Sequence, residues 1–160
     1  MIFKAELCQR VLDGTKTQTR RMVKDGDFIV DWPMPCVFRD TKGGGNRLAW
    51  RENQTYAVQP GRGKHAVGRI GIIKIRREPL QDISEDDCRA EGILVPPTHG
   101  RFACVLIGVD GKCLDDTPSR YIMPSPIPYF AELWDSIHPK GKRWEDNPEV
   151  WVLEFELVRP

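Results

Sequence analysis

The sequence predicts an α+β fold: a mixed or antiparallel β-barrel flanked by short helices. Three observations carry that expectation. Residues 69–77 hold Ile70, Ile72, Ile73 and Ile75, β-branched side chains on both faces, as in a well-buried strand. In residues 150–158, Trp151, Leu153, Phe155 and Leu157 alternate with Val152, Glu154 and Glu156, so one face is wholly apolar and would close the core. Two short helical patterns fall between these strands, one opened by Ser84 and one carrying Phe130, Leu133, Trp134 and Ile137.

The bulk numbers fit one domain over residues 1–160. A chain of 160 residues, 40% hydrophobic and 29% charged, can bury a single core and lacks the profile of a disordered segment. No apolar run approaches the roughly 20 residues of a membrane helix, and the start has no basic region followed by an apolar stretch. Five cysteines form no C-x-x-C pair and their number is odd, which fits reduced thiols in a cytoplasmic protein. His65, His99 and His138 are too scattered for local zinc spacing, so neither metal nor other cofactor is expected. A net charge of +1 excludes a protein that is basic all over, but not a basic patch. Charge is in fact segregated: residues 62–77 contain six Lys or Arg and no acid, whereas residues 82–91 contain five acids and one Arg.

Along the chain, Leu7, Cys8, Val11 and Leu12 mark a first helix, ended by Gly14. Residues 15–21 carry hydroxyls and cations with no apolar face, which is not the texture of a core element. Asp25-Gly26-Asp27 reads as a turn into a strand near 28–32, and Pro33 and Pro35 argue against its continuing as a central strand. Gly43–Gly45 marks a loop, Tyr56–Gln59 a short strand, and Pro60–Gly63 a turn. The second helix is capped by Ser84, favoured by Glu85, Asp86 and Asp87, stapled by Ile83 onto Cys88, and ended by Gly92. Pro126 and Pro128 open the third helix and Pro139 stops it. Residues 93–125 read as an insertion with a hairpin over 102–114, too poor in apolar residues for a core of its own.

Three sets of residues could carry chemistry. Glu91 sits in the last turn of its helix, where the dipole disfavours a carboxylate; a solvated helix end is the plain reading and an offsetting partner the functional one. Lys16 and Thr19 are three apart, so amine and hydroxyl can meet, and the lysine could activate the hydroxyl only if burial or nearby cations lowered its pKa. An ordinary basic loop would read the same way. Tyr56 ahead of Arg62 and Lys64 has the look of a phosphate-tracking surface with a stacking aromatic, or simply of a solvated strand face.

Taken as a motif, residues 12–21, LDGTKTQTRR, resemble the opening signature of the ASCH family, in which a helix ends in glycine and runs into a K-T-x-T-x-R segment. The blocks YAVQPGRGK at 56–64, VGRI at 67–70, REPLQDISEDDCRAEG at 77–92, and LWDSI at 133–137 with Trp144 and Asn147-Pro148 extend the resemblance, in a longer form similar to bacterial and phage members. The resemblance implies a PUA-like β-barrel whose cleft binds RNA or a modified nucleoside. For members similar to the small N4-acetylcytidine amidohydrolases it implies hydrolysis of that amide, with the family's lysine, threonine and glutamate falling on Lys16, Thr19 and Glu91. Arg21 matches a family arginine and would hold the substrate or the developing oxyanion. Two further readings stay open: a binding module without catalysis, and an interaction factor of the phage type. No membrane partner is expected, and the oligomeric state is not legible.

Overall fold

The computed structural model describes residues 1–31, 33–41, 43–95 and 125–159. The hairpin expected over 102–114, and nearly all of the insertion around it, lies outside the described residues.

Among the described residues, seven strands are hydrogen-bonded as two antiparallel sheets. The larger runs β1 (Gln18–Met22), β7 (Glu149–Leu157), β6 (Gly68–Pro79), β5 (Thr55–Val58), and the smaller runs β2 (Asp27–Val30), β3 (Cys36–Asp40), β4 (Asn46–Arg51). The helices are α1 (Ala5–Leu12), α2 (Glu85–Ala90) and α3 (Ile127–Asp135). None of them is long and apolar enough to cross a membrane. The architecture is therefore α+β with mostly antiparallel strands and few short helices.

β7 lies between β1 and β6, and it is buried on both sides rather than on one. Trp151 and Leu153 pack with Val37, Ile72 and Ile75 between the two sheets, while Val150 and Val152 pack with Phe130, Trp134 and Cys88 under α2 and α3. Glu154, on the second face, is satisfied by the guanidinium of Arg76. The sheets are stitched where Asn53 N donates to Ile72 O at 2.7 Å and Ile75 N to the Glu52 carboxylate at 2.7 Å.

β6 departs from the expectation of two buried faces. Its inward residues are Ile70 and Ile72, then Ile75, a change of parity made by a register shift between Ile72 and Lys74. A bulge adds one residue to one strand, so the intervening side chain loses its place in the alternation. Ile73 is that residue, and it is half exposed.

The polar segment after Gly14 is the larger surprise. Instead of a surface loop, residues 18–22 form a strand paired to β7, and Gln18, Thr19 and Arg20 are buried. Its backbone is fixed at both ends of the turn that leads into it: Lys16 N donates to Arg10 O at 2.8 Å, Thr17 N to Ala90 O at 2.8 Å, and Phe155 N to Thr17 O at 2.8 Å. Hydrogen bonds to α1, α2 and β7 thus hold a strand whose only apolar side chain is Met22, at its far end.

Candidate functional site

α2 begins as its sequence dictates. Ser84 Oγ accepts from Asp87 N at 3.0 Å in a capping box, and Ile83 and Cys88 share one core cluster. The helix ends at Glu91, with φ −68° and ψ −7°, followed by Gly92 at φ +81°. Only glycine adopts that conformation without strain, and here it is needed twice over. A Cβ on Gly92 would lie 3.1 Å from Lys16 Cβ and 3.2 Å from Arg10 Cδ. The close approach seats Lys16 against the end of α2.

Lys16 is buried there, and its ammonium is fully engaged. Nζ donates to Glu91 Oε2 at 2.6 Å, to Glu91 O at 2.8 Å and to Gln18 O at 2.7 Å. Burial lowers its pKa; Glu91 opposes this through charge and hydrogen bond, and Arg21 and Arg20 add to the lowering. Glu91 in turn faces two cations, because its Oε1 lies 3.5 Å from Arg20. That is the offset which a carboxylate at a helix C-terminus requires.

Arg20 is the site residue that sequence reasoning missed. Its side chain is wholly buried beside α2, where it pairs with Glu78 at 2.5 Å and Asp87 at 3.0 Å and lies over the Phe130 ring at 5.8 Å. Arg76 ties Glu78 and Asp87 together from β6. The basic and acidic blocks of the sequence therefore meet in space, and part of the basic block is neutralised. The one available signal was the first arginine of Arg20-Arg21, which alternation places on the face opposite Thr19 and Arg21.

Thr19 and Arg21 open onto a cleft of about 1330 Å³ that Lys16, Arg20 and Glu91 also line. Among the described residues no protein group bonds the Thr19 hydroxyl. Arg21 is half-buried, lies over the Phe3 ring at 5.1 Å, donates to Ile2 O at 2.8 Å, and has no carboxylate partner among the described residues. Seven Lys and Arg border the cleft against two acids, Asp25 and Glu91, and Phe3, Trp50 and Trp134 add aromatic wall. Lys16, Arg20 and Arg39 are paired with carboxylates, so among the described residues the cations left to draw an anionic ligand are Lys4, Arg21, Lys24 and Lys142.

The structure thus brings Lys16, Thr19, Arg21 and Glu91 to one cleft. It does not bring Tyr56, Arg62 or Lys64 to its lining. Tyr56, on β5, is half-buried, with its hydroxyl donating to Gln54 Oε1 at 3.2 Å and accepting from Arg51 N at 2.9 Å. Arg62 and Lys64 are exposed on the turn just past Pro60 and Gly61, which do line the cleft. Among the described residues no group of three or more His, Cys, Asp or Glu is placed to hold a metal.

No protein-family model matches the chain, and no curated protein matches its sequence. Among solved structures, a protein of Enterococcus faecalis V583 from the family DUF984 superposes with a TM-score of 0.52 at 15% identity, over 97% of this chain and 71% of that one. The ASCH domain from Lactobacillus crispatus JV V101 gives 0.46 at 13% identity, over 95% of this chain and 70% of that one. At such identity the likeness to the Enterococcus faecalis protein is one of fold alone, an α+β architecture with mostly antiparallel strands.

Proposed function

We propose that the cleft binds an N-acylated nucleoside, free or within RNA, on a PUA-like barrel, and that Lys16, Thr19 and Glu91 hydrolyse its amide as in N4-acetylcytidine. The observation that carries this reading is the buried Lys16–Glu91 pair at 2.6 Å, in the wall of a cation-lined cleft that Thr19 also borders. A buried ion pair adds little net stability over apolar residues of the same size, so the fold alone does not call for it. An amine whose pKa is lowered by burial, lining the same cleft as a hydroxyl, is a candidate for proton transfer.

With three acceptors around it, Lys16 holds its protons until one passes to Glu91 Oε2. The neutral amine then takes the proton of the Thr19 hydroxyl, or of a water it positions, as that oxygen bonds to the acyl carbon. When the carbon–nitrogen bond breaks, the Glu91 carboxyl returns its proton to the departing amine, and the ion pair is restored. If Thr19 itself is acylated, water cleaves the ester to the free acid and the hydroxyl. Arg21, which lines the cleft without a carboxylate partner among the described residues, is the group we assign to steady the developing oxyanion. Ligand pockets run to about 300–1000 Å³, so this cleft has room for nucleotides flanking the base, with Arg62 and Lys64 beyond its rim.

A second reading, binding without turnover, is favoured by the saturation of Lys16 Nζ, which makes the lysine a fixed charge. The interaction-factor reading has its own observation in Phe28, Ile29, Val30 and Leu48, each 36–39% exposed on the smaller sheet. Incubation with N4-acetylcytidine separates them: the enzyme releases cytidine and acetate, and Lys16→Ala and Glu91→Gln abolish the release. Saturable binding without product leaves the module, and neither binding nor product removes both readings of the cleft.

A further inference from the structure

We propose that His138 is a ligand-contacting residue of the cleft, which presents an unprotonated Nε2 as acceptor to an N–H or O–H of the bound molecule. The proposal rests on the reading above that this cleft takes a nucleoside or RNA, and it names a second, chemically distinct contact within it.

His138 follows α3, and its ring is held in place. It stacks on the Trp134 indole with centroids 3.9 Å apart and planes 21° from parallel. The indole is itself fixed by its Nε1–H, which donates to Lys142 O at 2.9 Å. Nδ1 of His138 lies 3.0 Å from the Trp134 carbonyl. A carbonyl oxygen only accepts, so the contact requires a hydrogen on Nδ1, and in the neutral ring that leaves Nε2 as a bare acceptor. Among the described residues nothing pairs with Nε2.

Burial, more than the charged groups around it, favours the neutral ring. Burial is the largest influence and lowers its pKa; the Trp134 carbonyl raises it, Arg21 on β1 lowers it, Asp135 on α3 raises it, and Lys142 in the following loop lowers it. The net direction is below the ordinary imidazole value. Arg21 acts on both His138 and Lys16, which joins the two ends of the site.

Chemistry explains why such a group matters here. The cleft wall is dominated by donors, the lysines and arginines, which suit phosphate and carbonyl oxygens. Glu91 already commits its two oxygens to Lys16 and Arg20, and Asp25 sits on an exposed turn. A nucleoside also carries donors, on exocyclic amine or amide nitrogen and on ribose hydroxyls. His138 Nε2 is a neutral acceptor placed to read one of them without repelling the ligand's phosphates.

Two measurements test this. Long-range proton–nitrogen NMR of the free protein should show His138 in the Nδ1–H tautomer at neutral pH; an Nε2–H tautomer overturns the proposal without any ligand. Binding of N4-acetylcytidine and of a mixed-sequence oligoribonucleotide is then compared across His138→Asn, whose amide reaches only the Nδ1 position, and His138→Gln, whose amide reaches the Nε2 position. Asn should keep the fold and weaken the tighter probe roughly tenfold, the worth of about one hydrogen bond, while Gln stays near wild type. Wild-type binding should weaken as pH falls through the His138 titration, and Gln should not show that loss. Equal binding by wild type and His138→Asn refutes the contact. If neither probe binds wild type, the functional reading fails and the contact with it, and a preserved Nδ1–H signal then identifies that failure as one of function rather than of the ring geometry.

Discussion

Breaking the Lys16–Glu91 pair from either side tests whether it is buried as described. The two side chains are 1% and 6% exposed, and removal of one partner from such a pair costs about 3–5 kcal/mol. The two sides are not equivalent. Lys16→Met leaves Glu91 with Arg20 at 3.5 Å, whereas Glu91→Gln leaves an ammonium beside Arg20 and Arg21 with no counter-charge. We therefore expect about 3 kcal/mol for Lys16→Met and nearer to about 5 kcal/mol for Glu91→Gln, with the double variant better than the sum by about 1–3 kcal/mol. In urea, with a slope of about 2 kcal/mol per molar, the single variants unfold roughly 1.5–2.5 M earlier. The pH sign follows from the lowered pKa of Lys16: between its folded value and 10.5 the unfolded chain binds more protons, so stability rises with pH across that window. The Glu91→Gln deficit accordingly shrinks as pH rises through the folded value. Single variants within about 0.5 kcal/mol of wild type, adding without coupling, would show the pair to be solvated and the inference from burial to be wrong.

Gly92→Ala should cost about 2 kcal/mol or more, since φ +81° alone costs an alanine about 1–2 kcal/mol and the new Cβ meets Lys16 at 3.1 Å; thermal melting reads the loss, and turnover on N4-acetylcytidine should fall with it. Ile73→Lys should be neutral within about 0.5 kcal/mol in urea titration, whereas Ile75→Ala, one step past the bulge, should cost about 2–5 kcal/mol. Burial of Asp27 would raise its pKa, but hydrogen bonds from Arg39, Lys24 N and Trp151 bring it below 3.8. A depressed carboxylate stabilises above its unfolded value and loses that contribution as pH falls through the folded one, so the urea-midpoint gap between wild type and Asp27→Asn should close on acidification below about pH 3.8.

What the sequence makes legible follows from which forces leave a periodic trace. β7 is readable because large apolar residues at every second position are the mark of a strand with a buried face, and α2 because its cap, staple and terminal glycine are all local. The bulge in β6 is not readable, since the parity change that exposes Ile73 depends on register with β7. β1 defeats the pattern altogether: Gln18, Thr19 and Arg20 are buried by backbone pairing and by carboxylates from β6 and α2, none of which is near in sequence. β3 and β4 were also missed, being short and mixed in polarity around the Gly43–Gly45 loop. At the site, Lys16, Thr19 and Glu91 were legible through motif and helix-end electrostatics. Arg20 was hidden because its role depends on partners 58 to 71 positions away.

The central claim, that an amine, a hydroxyl and a carboxylate act together in one cleft, is tested most directly at Thr19, because Thr19→Val keeps the shape of a buried strand residue and removes only the oxygen. Chromatography of N4-acetylcytidine incubated with each protein should show cytidine from wild type and none from a folded Thr19→Val that still binds the nucleoside. Cytidine released by Thr19→Val at the wild-type rate would contradict the account.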